Sequence, residues 1–334
     1  MRLVSNKTVL AWVVFVAALS LVHNLWAQPV RLQVSYSAPT ANNSPIFIAK
    51  ERGFLAKNGL DVQLLYIESG TTTIQALIAG ETQIVQVAGT VVVSSALAGS
   101  DVVAIGGLEN RIAFSLVTQK DIKSPEQLKG KRLAISRFGS ASDLGARLFL
   151  QRLGLTAEKD VTLVQVGSTN TRLAAITKGV VEATVLTPEF YLFAKKAGFN
   201  TLADPITTKI DFPQNGIATS RAYLKSRPDV VNRYLLANIE AIHFFKTRPE
   251  ESMQIMSKYL KITDRDALEE IYRLYRDILQ PLPLPTASGM QTLVDWLAQR
   301  DPRAKDAKPE QFIDFAPLRD IERTGFVARL YQQK

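Results

Sequence analysis

A polar pattern occurs twice in this chain, roughly a hundred residues apart. The first copy spans residues 69–87 (SGTTTIQALIAGETQIVQV) and the second spans residues 167–186 (GSTNTRLAAITKGVVEATVL). Each copy is typical of a hydroxyl-rich loop, a short amphipathic helix that ends at a glycine, and a buried strand. A helix, a turn containing Gly-Leu and a strand precede both copies. The repeat therefore predicts two α/β lobes built on one plan.

Length and composition agree with this prediction and exclude several kinds of site. A chain of 334 residues is long enough for two domains, and 46% hydrophobic with 21% charged residues is an ordinary globular composition. The absence of cysteine excludes disulfides, thiolate nucleophiles, cysteine–zinc sites and iron–sulfur clusters. Of the two histidines, His243 lies in an apolar helical stretch, where we expect it to be packed. We predict neither a metal nor a cofactor.

The first 27 residues have the profile of an export signal. Arg2 and Lys7 precede an apolar stretch from Val9 to Leu21, and cleavage is predicted after Ala27. This predicts a periplasmic protein. Leu25 is larger than the residue usually found before such a cleavage site, so an uncleaved membrane anchor is the alternative.

The net charge of +9 does not indicate nucleic-acid binding. The basic residues are dispersed among Asp and Glu, without a basic run and without aromatic residues interleaved in one. We therefore expect no nucleic-acid partner. A cationic surface favours the approach of anionic ligands.

The order of the segments predicts one lobe inserted into the other. Lobe 1 is predicted to comprise residues 28–117 and 214–334, and lobe 2 residues 118–213, with a helical region from Arg221 onward. The chain is expected to cross between the lobes twice, and Asn215-Gly216 is expected to serve the hinge of the second crossing. We expect a monomer.

Four segments resemble a known family. Residues 44–62 (SPIFIAKERGFLAKNGLDV) are similar to the opening of periplasmic solute-binding proteins of the nitrate/sulfonate/taurine and thiamine-pyrimidine group; QALIAGETQI, LKGKRLAI and FAPL resemble further family segments. The resemblance implies an α/β, two-lobed type II periplasmic binding protein fold with a ligand cleft between the lobes. It also implies delivery of a small molecule to the membrane permease of an ABC transporter. It does not imply which ligand, because the family spans sulfonates, nitrate, pyrimidines, flavin and aromatic carboxylates.

The candidate ligand-binding residues follow the strands of both lobes. Ligands of α/β lobes bind outside the carboxyl ends of the strands, where helix N-termini suit an anionic oxygen. Simple helix capping is the alternative for the Ser/Thr loops, and solvent exposure the alternative for Arg137. The predicted ligand-binding residues are Tyr36, Asn43, Ser69, Gly70, Thr71, Thr72, Gly89, Thr90, Arg137, Phe138, Ser140, Ser142, Ser168, Thr187, Glu189 and Asn215.

These residues favour a small organic anion of the sulfonate or carboxylate type as the ligand. Arg137 is expected to pair with the anion, and Phe138 and Tyr36 to contact its apolar body. The alternative ligand is a thiamine-type pyrimidine, a flavin or another heteroaromatic, held by stacking with Glu189 as its charge partner. Glu189 acting only as a helix cap is the further possibility.

The sequence does not favour catalysis. It contains no nucleophile turn, phosphate-binding loop or dinucleotide-binding motif. The resemblance extends to pyrimidine synthases of this fold, which are thought to depend on a histidine and on a cysteine cluster with iron; this chain has no cysteine and no spare histidine. A sensor ectodomain would need a second membrane span or a signalling domain, so delivery to a transporter is the simpler expectation.

Overall fold

The computed structural model describes residues 28–204 and 210–332. The strands form two five-stranded sheets. The first contains β1 (Val30–Tyr36), β2 (Leu60–Tyr66), β3 (Ile84–Val87), β4 (Val102–Arg111) and β10 (Asp211–Ser220). The second contains β5 (Ser115–Thr118), β6 (Arg132–Ile135), β7 (Thr162–Gln165), β8 (Ala183–Leu186) and β9 (Asn200–Ala203). The strand orders are β2-β1-β3-β10-β4 and β7-β6-β8-β5-β9.

The helices alternate with the strands along the first two thirds of the chain and form most of its last third. A 3₁₀ helix at Ala41–Asn43 precedes the first of them. The α-helices of the described residues are α1 (Ser44–Glu51), α2 (Phe54–Lys57), α3 (Gly70–Ile78), α4 (Gly89–Leu97), α5 (Ala141–Arg152), α6 (Thr169–Thr177), α7 (Pro188–Lys196), α8 (Arg221–Ser226), α9 (Pro228–Thr247), α10 (Pro249–Leu260), α11 (Arg265–Ile278), α12 (Ala287–Ala298), α13 (Ala316–Arg323) and α14 (Phe326–Gln332).

The two sheets repeat one plan. Three parallel strands lie together in each sheet, next to an antiparallel strand, β10 in the first sheet and β5 in the second, and then an edge strand. The first sequence copy forms α3 and β3, and the second forms α6 and β8, at equivalent positions. The predicted two-lobed α/β fold is therefore confirmed.

Amphipathic helices contribute much of the core of the first lobe, and α11 shows how the sequence specifies them. Asp264 ends the preceding loop and accepts a hydrogen bond from Ala267 N at 3.1 Å, which caps the helix. Leu268, Ile271 and Tyr275 recur every three or four residues on the buried face. They pack into a core that also includes residues of β1 and α9.

A second core is continuous between the two sheets. It joins α3 and α4 of the first lobe to α5 and the second sheet. Phe114, on the first crossing between the sheets, packs so closely on α5 that a Cβ at Gly145 would lie 2.8 Å from its ring. Because this core includes residues of both sheets, the two lobes are in contact.

The crossings differ from the sequence-based boundaries by a few residues. The chain leaves the first sheet at residues 112–114, because β5 pairs with β8 and β9 of the second sheet; the boundary after residue 117 had assigned this strand to lobe 1. The chain has returned by Asp211, where β10 begins, although lobe 2 was expected to extend to residue 213. Both crossings between the sheets therefore lie a few residues earlier in the sequence than predicted.

The expected hinge at Asn215-Gly216 lies inside β10 rather than between the lobes. Gly216 pairs with Val87 on one side and Gly107 on the other. A Cβ at Gly216 would lie 2.5 Å from Gly106 O, so this glycine permits close strand contact.

The predicted signal peptide, residues 1–27, lies outside the described residues. Within residues 28–204 and 210–332, no helix has the length and apolar character needed to cross a membrane.

Candidate functional site

A small cavity lies between the two sheets at the carboxyl ends of their parallel strands. Its volume is about 80 Å³. The loops after β1, β2 and β3 and the strand β10 form one wall, and the loops after β6, β7 and β8 form the other. The predicted cleft between two lobes is thus confirmed. The lining residues are Ser37, Ala38, Thr40, Asn42, Asn43, Ser69, Gly70, Ala88, Val91, Phe114, Ser136, Ser140, Ala141, Ser142, Ser168, Thr169, Arg172, Thr187, Gln214 and Asn215.

Six helices begin at the wall of this cavity. Of their N-cap residues, Ser140 alone accepts a hydrogen bond from its own helix, from Asp143 N. The other five make no side-chain cap hydrogen bond of their own, although Glu68 of the first lobe accepts one from Ser168 N. Helix N-termini carry partial positive charge and favour anions. The six N-cap residues are Asn43, Ser69, Ala88, Ser140, Ser168 and Thr187.

Several polar side chains of the cavity have no hydrogen-bond partner within the described part of the protein. They are the hydroxyls of Thr169 and Thr187 and the amide oxygen of Gln214, all buried. Leaving a buried polar group unpaired costs about 1–3 kcal/mol. A ligand that carries oxygen acceptors would satisfy the two hydroxyls.

Arg172 is the one cationic residue among the cavity-lining residues. Its side chain is 2% exposed, and its guanidinium donates to Gly167 O at 2.7 Å and to Val185 O at 3.1 and 3.3 Å. These bonds use three of its five N–H groups and hold the planar group in place. Burial lowers the pKa of Arg172 to about 9, which leaves it charged at neutral pH. The cavity therefore contains a fixed positive charge.

An amide network fixes the wall contributed by the first lobe. Asn215 Nδ2 donates to Asn43 Oδ1 at 2.9 Å, and Asn43 Nδ2 donates to Ala38 O at 2.8 Å. Asn42 accepts from Thr40 Oγ1 at 2.8 Å through its own amide oxygen. These side chains restrain one another, so the polar surface that they present is organised before a ligand arrives.

Three serines form the corresponding surface of the second lobe. Ser136 Oγ donates to Ser140 Oγ at 2.8 Å, and Ser140 and Ser142 hydroxyls lie 3.0 Å apart. Ser142 Oγ also accepts from Ser136 N at 2.8 Å. Because hydroxyl hydrogens rotate, this cluster is able to redirect donors toward an acceptor in the cavity.

Ser69 adopts an uncommon backbone conformation at the cavity wall. Its φ is 76° and its ψ is 134°, in the region that favours glycine. Thr73 Oγ1 donates to Ser69 O at 2.9 Å, which helps to hold this conformation. Strain of this kind concentrates at binding sites.

Two buried carboxyl groups lie behind the cavity wall. Glu109 and Glu189 are each 0% exposed, and neither is among the lining residues. Burial raises the pKa of Glu109 to about 8 and that of Glu189 to about 7. Glu189 Oε1 accepts a hydrogen bond from Ala41 N in the other lobe.

The structure brings half of the predicted ligand-binding residues together. Their shared feature is a position at the start of a helix or on β10. They are Asn43, Ser69, Gly70, Ser140, Ser142, Ser168, Thr187 and Asn215. The residues that it does not place in the cavity lining are Tyr36, Thr71, Thr72, Gly89, Thr90, Arg137, Phe138 and Glu189.

Arg137 and Phe138 are exposed because of the turn that precedes α5. Phe138 N donates to Gln165 Oε1 at 3.0 Å, and Gly139 N donates to Asp143 Oδ2 at 2.8 Å. Gly139 has a φ of 79°. The turn directs both side chains to solvent, and Phe138 is 48% exposed.

The other predicted residues outside the cavity lining lie in the packed interior or on the surface. Tyr36 packs on Phe47, with ring centroids 5.2 Å apart, rather than on the cavity. A Cβ at Gly89 would lie 2.4 Å from Pro213, so this glycine permits close packing of α4 on β10. Thr90 is buried beside it on α4. Thr72 lies on the exposed side of α3.

Sequence reasoning missed Arg172, although the repeat contains a signal for it. Ser69 and Ser168 correspond in the two copies, and Thr73 and Arg172 follow them at the same spacing. Thr73 and Arg172 are both buried. Because Thr73 is buried in the first copy, an arginine at the equivalent position of the second copy indicates a positive charge inside the protein, where it needs a polar partner. The sequence offered no comparable signal for Asn42, Gln214 or Phe114.

This architecture, with a polar cavity between two α/β lobes, is that of a solute-binding protein. The sequence model of the family described as NMT1/THI5 like matches residues 40–252, more than half of the 334 residues, and the chain belongs to this family.

Named relatives agree with this class. A protein of Brucella abortus, named as a candidate binding protein, is 29% identical over 76% of this chain and 77% of its own. A Bacillus subtilis protein, named as a candidate aliphatic sulfonates-binding protein, is 27% identical over 69% of this chain and 70% of its own.

Solved structures show the same fold. The alkanesulfonate-binding protein SsuA of Xanthomonas axonopodis pv. citri, solved with bound MOPS, matches with a TM-score of 0.69 and 17% identity, over 87% of this chain and 98% of its own. These relatives and this neighbour are named for binding rather than for a reaction, in agreement with the prediction that the chain is not an enzyme.

Proposed function

We propose that this protein is the extracytoplasmic binding component of an ABC importer and that it captures a small organic anion, a sulfonate or a carboxylate. The observation that carries the proposal is the convergence of six helix N-termini on one cavity. Backbone N–H groups and helix dipoles attract negative charge, and the Arg172 guanidinium supplies a full positive charge beside them.

The size of the cavity favours a small ligand. A water needs roughly 10–15 Å³ of such volume, so about 80 Å³ has room for on the order of five to eight non-hydrogen atoms. A short alkyl sulfonate or carboxylate is of this size. The larger apolar side chains available to its alkyl part are Val91 and Phe114.

The walls give less support to a heteroaromatic ligand. Phe114 is the one aromatic side chain among the lining residues, and Tyr36 and Phe138 lie elsewhere. Glu189, the expected partner of a ligand amine, is buried against Ala41 N instead. A flavin or pyrimidine would need stacking surfaces that the cavity lacks.

We also infer that binding is coupled to closure of the lobes and that the closed form is what a membrane permease recognises. The interlobe hydrogen bonds from Ala41 N to Glu189 and from Ser168 N to Glu68 support a closed arrangement. Residues 1–27, with their signal-like profile, support export to the periplasm. We propose that the protein acts as a monomer.

A thermal-shift screen of purified protein tests the ligand class. We expect stabilisation by ethanesulfonate or by short carboxylates, about 2.7 kcal/mol at a hundredfold excess over Kd. Nitrate, a thiamine-type pyrimidine and riboflavin complete the panel. Stabilisation by the pyrimidine or riboflavin alone would contradict the anion proposal and support the heteroaromatic alternative.

A further inference from the structure

Two buried carboxyl groups from opposite lobes bind adjacent residues behind the cavity, close enough to repel each other electrostatically. Glu109 belongs to β4 of the first lobe, and Glu189 belongs to the first turn of α7 in the second. Asn42 Nδ2 donates to Glu109 Oε2 at 2.8 Å, and Ala41 N donates to Glu189 Oε1 at 3.2 Å. Both carboxyl groups therefore hold the same short segment of the first lobe, but one of them reaches it from across the cleft.

Among the residues that the structure describes, the surroundings provide hydrogen-bond donors but no buried cation to stabilise two negative charges. Asn42 and Ala41 N donate to the carboxyl groups, and the hydroxyls of Tyr275 and Thr187 lie beside them. Glu109 Oε1 and Glu189 Oε2 are buried without a hydrogen-bond partner in the described residues. The other charged or titratable groups that face the pair are Tyr275 on α11 and Arg111 on β4. Arg111 is exposed, so solvent screens its charge. No buried cation is found beside the pair within residues 28–204 and 210–332.

Burial accordingly favours the protonated form of both groups. It raises the pKa of Glu109 to about 8, with a further contribution from Glu189, and it raises the pKa of Glu189 to about 7. Opening the lobes would separate Glu189 from Glu109 and from Ala41 and would admit water to both. In water, a glutamate has a pKa of about 4.3.

We propose that closure of the two lobes takes up a proton from solvent onto the Glu109–Glu189 pair, so that capture and release of the solute depend on pH. The proposal rests on the function proposed above in one respect, the coupling of binding to closure. Beyond that function, the proposal assigns to Glu109 and Glu189, outside the ligand cavity, control of the pH at which the cavity closes.

The sign of the dependence follows from the direction of the shifts. Both groups bind protons more tightly in the closed form. The closed form therefore has its full advantage below about pH 4.3 and loses it as the pH rises from there to about 7 to 8. Each proton taken up changes the closure equilibrium by up to about tenfold per pH unit in that interval. Affinity for a ligand that binds the closed form falls accordingly.

Calorimetric titration with ethanesulfonate at about pH 6 and about pH 8.5 is the first measurement, because this probe stays anionic throughout. We expect Kd to rise about tenfold or more between the two. At pH near 7, the binding enthalpy in two buffers of different ionisation enthalpy should show uptake of about one proton. Small-angle scattering of the ligand-free protein over the same range should show a larger radius at the higher pH.

Three variants test whether the pH dependence of binding comes from Glu109 and Glu189. Glu109→Gln and Glu189→Gln keep an acceptor for Asn42 and Ala41 but do not titrate, so each should reduce the pH dependence. Glu68→Gln is the matched control, because Glu68 also accepts a backbone N–H across the cleft, from Ser168, but lies away from the pair. It should retain the pH dependence of the unmodified protein.

The outcomes separate this proposal from the proposed function. In one outcome, ethanesulfonate does not bind, the radius of the unmodified protein depends on pH, and the radius of Glu189→Gln does not. That outcome would contradict the anion proposal and support proton-linked closure. In another outcome, the radius of the unmodified protein does not change with pH, and ethanesulfonate either does not bind or binds with the same Kd at both pH values. That outcome would overturn proton-linked closure. Equal pH dependence in Glu189→Gln, Glu109→Gln and the unmodified protein would overturn it as well.

Discussion

Replacement of Arg172 by lysine separates the charge of the cavity from the geometry that holds it. A lysine keeps the positive charge but presents a single ammonium group instead of a planar fork. In the structure, that fork spans Gly167 O and Val185 O, with donor distances of 2.7 to 3.3 Å. One ammonium group does not reproduce all three contacts and also face the cavity, so we expect binding to weaken although the charge remains.

The magnitude follows from the hydrogen bonds lost. Each of the three bonds to backbone carbonyls contributes on the order of 1 kcal/mol, so Arg172→Lys should destabilise the fold by about 1–3 kcal/mol. A hydrogen bond between a charged group and an anionic ligand is worth about 1.5–3 kcal/mol, so Kd should rise by about 10- to 150-fold. Arg172→Gln, which also removes the charge, should weaken binding at least as much.

The assay is calorimetric titration with ethanesulfonate, preceded by urea unfolding to establish that the variant is folded at the temperature used. Arg137→Lys is the matched control, because Arg137 is an exposed arginine of the same lobe outside the cavity lining. It should change stability by less than about 0.5 kcal/mol and leave Kd unaltered. Wild-type affinity in a folded Arg172→Lys variant would refute the role of the planar fork. Wild-type affinity in a folded Arg172→Gln variant, or a loss confined to Arg137→Lys, would refute the assignment of the charge to Arg172.

Three further substitutions test the structure around the site by urea unfolding. Ser69→Gly should stabilise the fold relative to Ser69→Ala by about 1 kcal/mol, because glycine accepts a φ of 76° without strain. Gly216→Ala should destabilise the fold by about 1–3 kcal/mol, since its Cβ would lie 2.5 Å from Gly106 O. Lys196→Gln should cost less than about 1 kcal/mol, because the ion pair with Asp264 across the lobes is exposed.

Each of these has an outcome that would contradict it. Equal stability of the glycine and alanine variants at position 69 would show that the backbone there is not strained. Gly70→Ala is the control for position 216, because the nearest atom to its Cβ would be Val91 Cγ1 at 3.5 Å, an ordinary contact. A Gly216→Ala variant as stable as Gly70→Ala would contradict the close strand approach. A large effect of Lys196→Gln would mean that the exposed pair holds the lobes together.

The sequence predicted the architecture well because the determining patterns are local. Apolar periodicity, glycine stops and polar helix starts lie within short segments, and the repeat of residues 69–87 at residues 167–186 identified two lobes of one plan. The carboxyl ends of parallel strands then placed both hydroxyl-rich loops at one cleft. Eight predicted residues line the cavity for this reason.

The rest of the site depends on contacts that no local pattern encodes. Asn42 and Gln214 are far apart in sequence and reach one wall through the pairing of β10 with its neighbours. Arg137 had the right chemistry in the right loop, but the turn at Gly139 directs it outward. The lobe boundaries moved for a similar reason, since the sheet to which β5 belongs is decided by pairing with β8 and β9.

The interlobe contacts use the same chemistry that we propose for the ligand. Glu68 of the first lobe accepts a hydrogen bond from Ser168 N, at the start of α6 in the second lobe. Glu189 of the second lobe accepts one from Ala41 N in the first. In both contacts, a carboxyl oxygen of one lobe meets a backbone N–H near a helix start of the other, beside the cavity. A ligand anion bound among the same helix starts would add a third contact of this type, and it would stabilise the closed form because it touches both lobes at once.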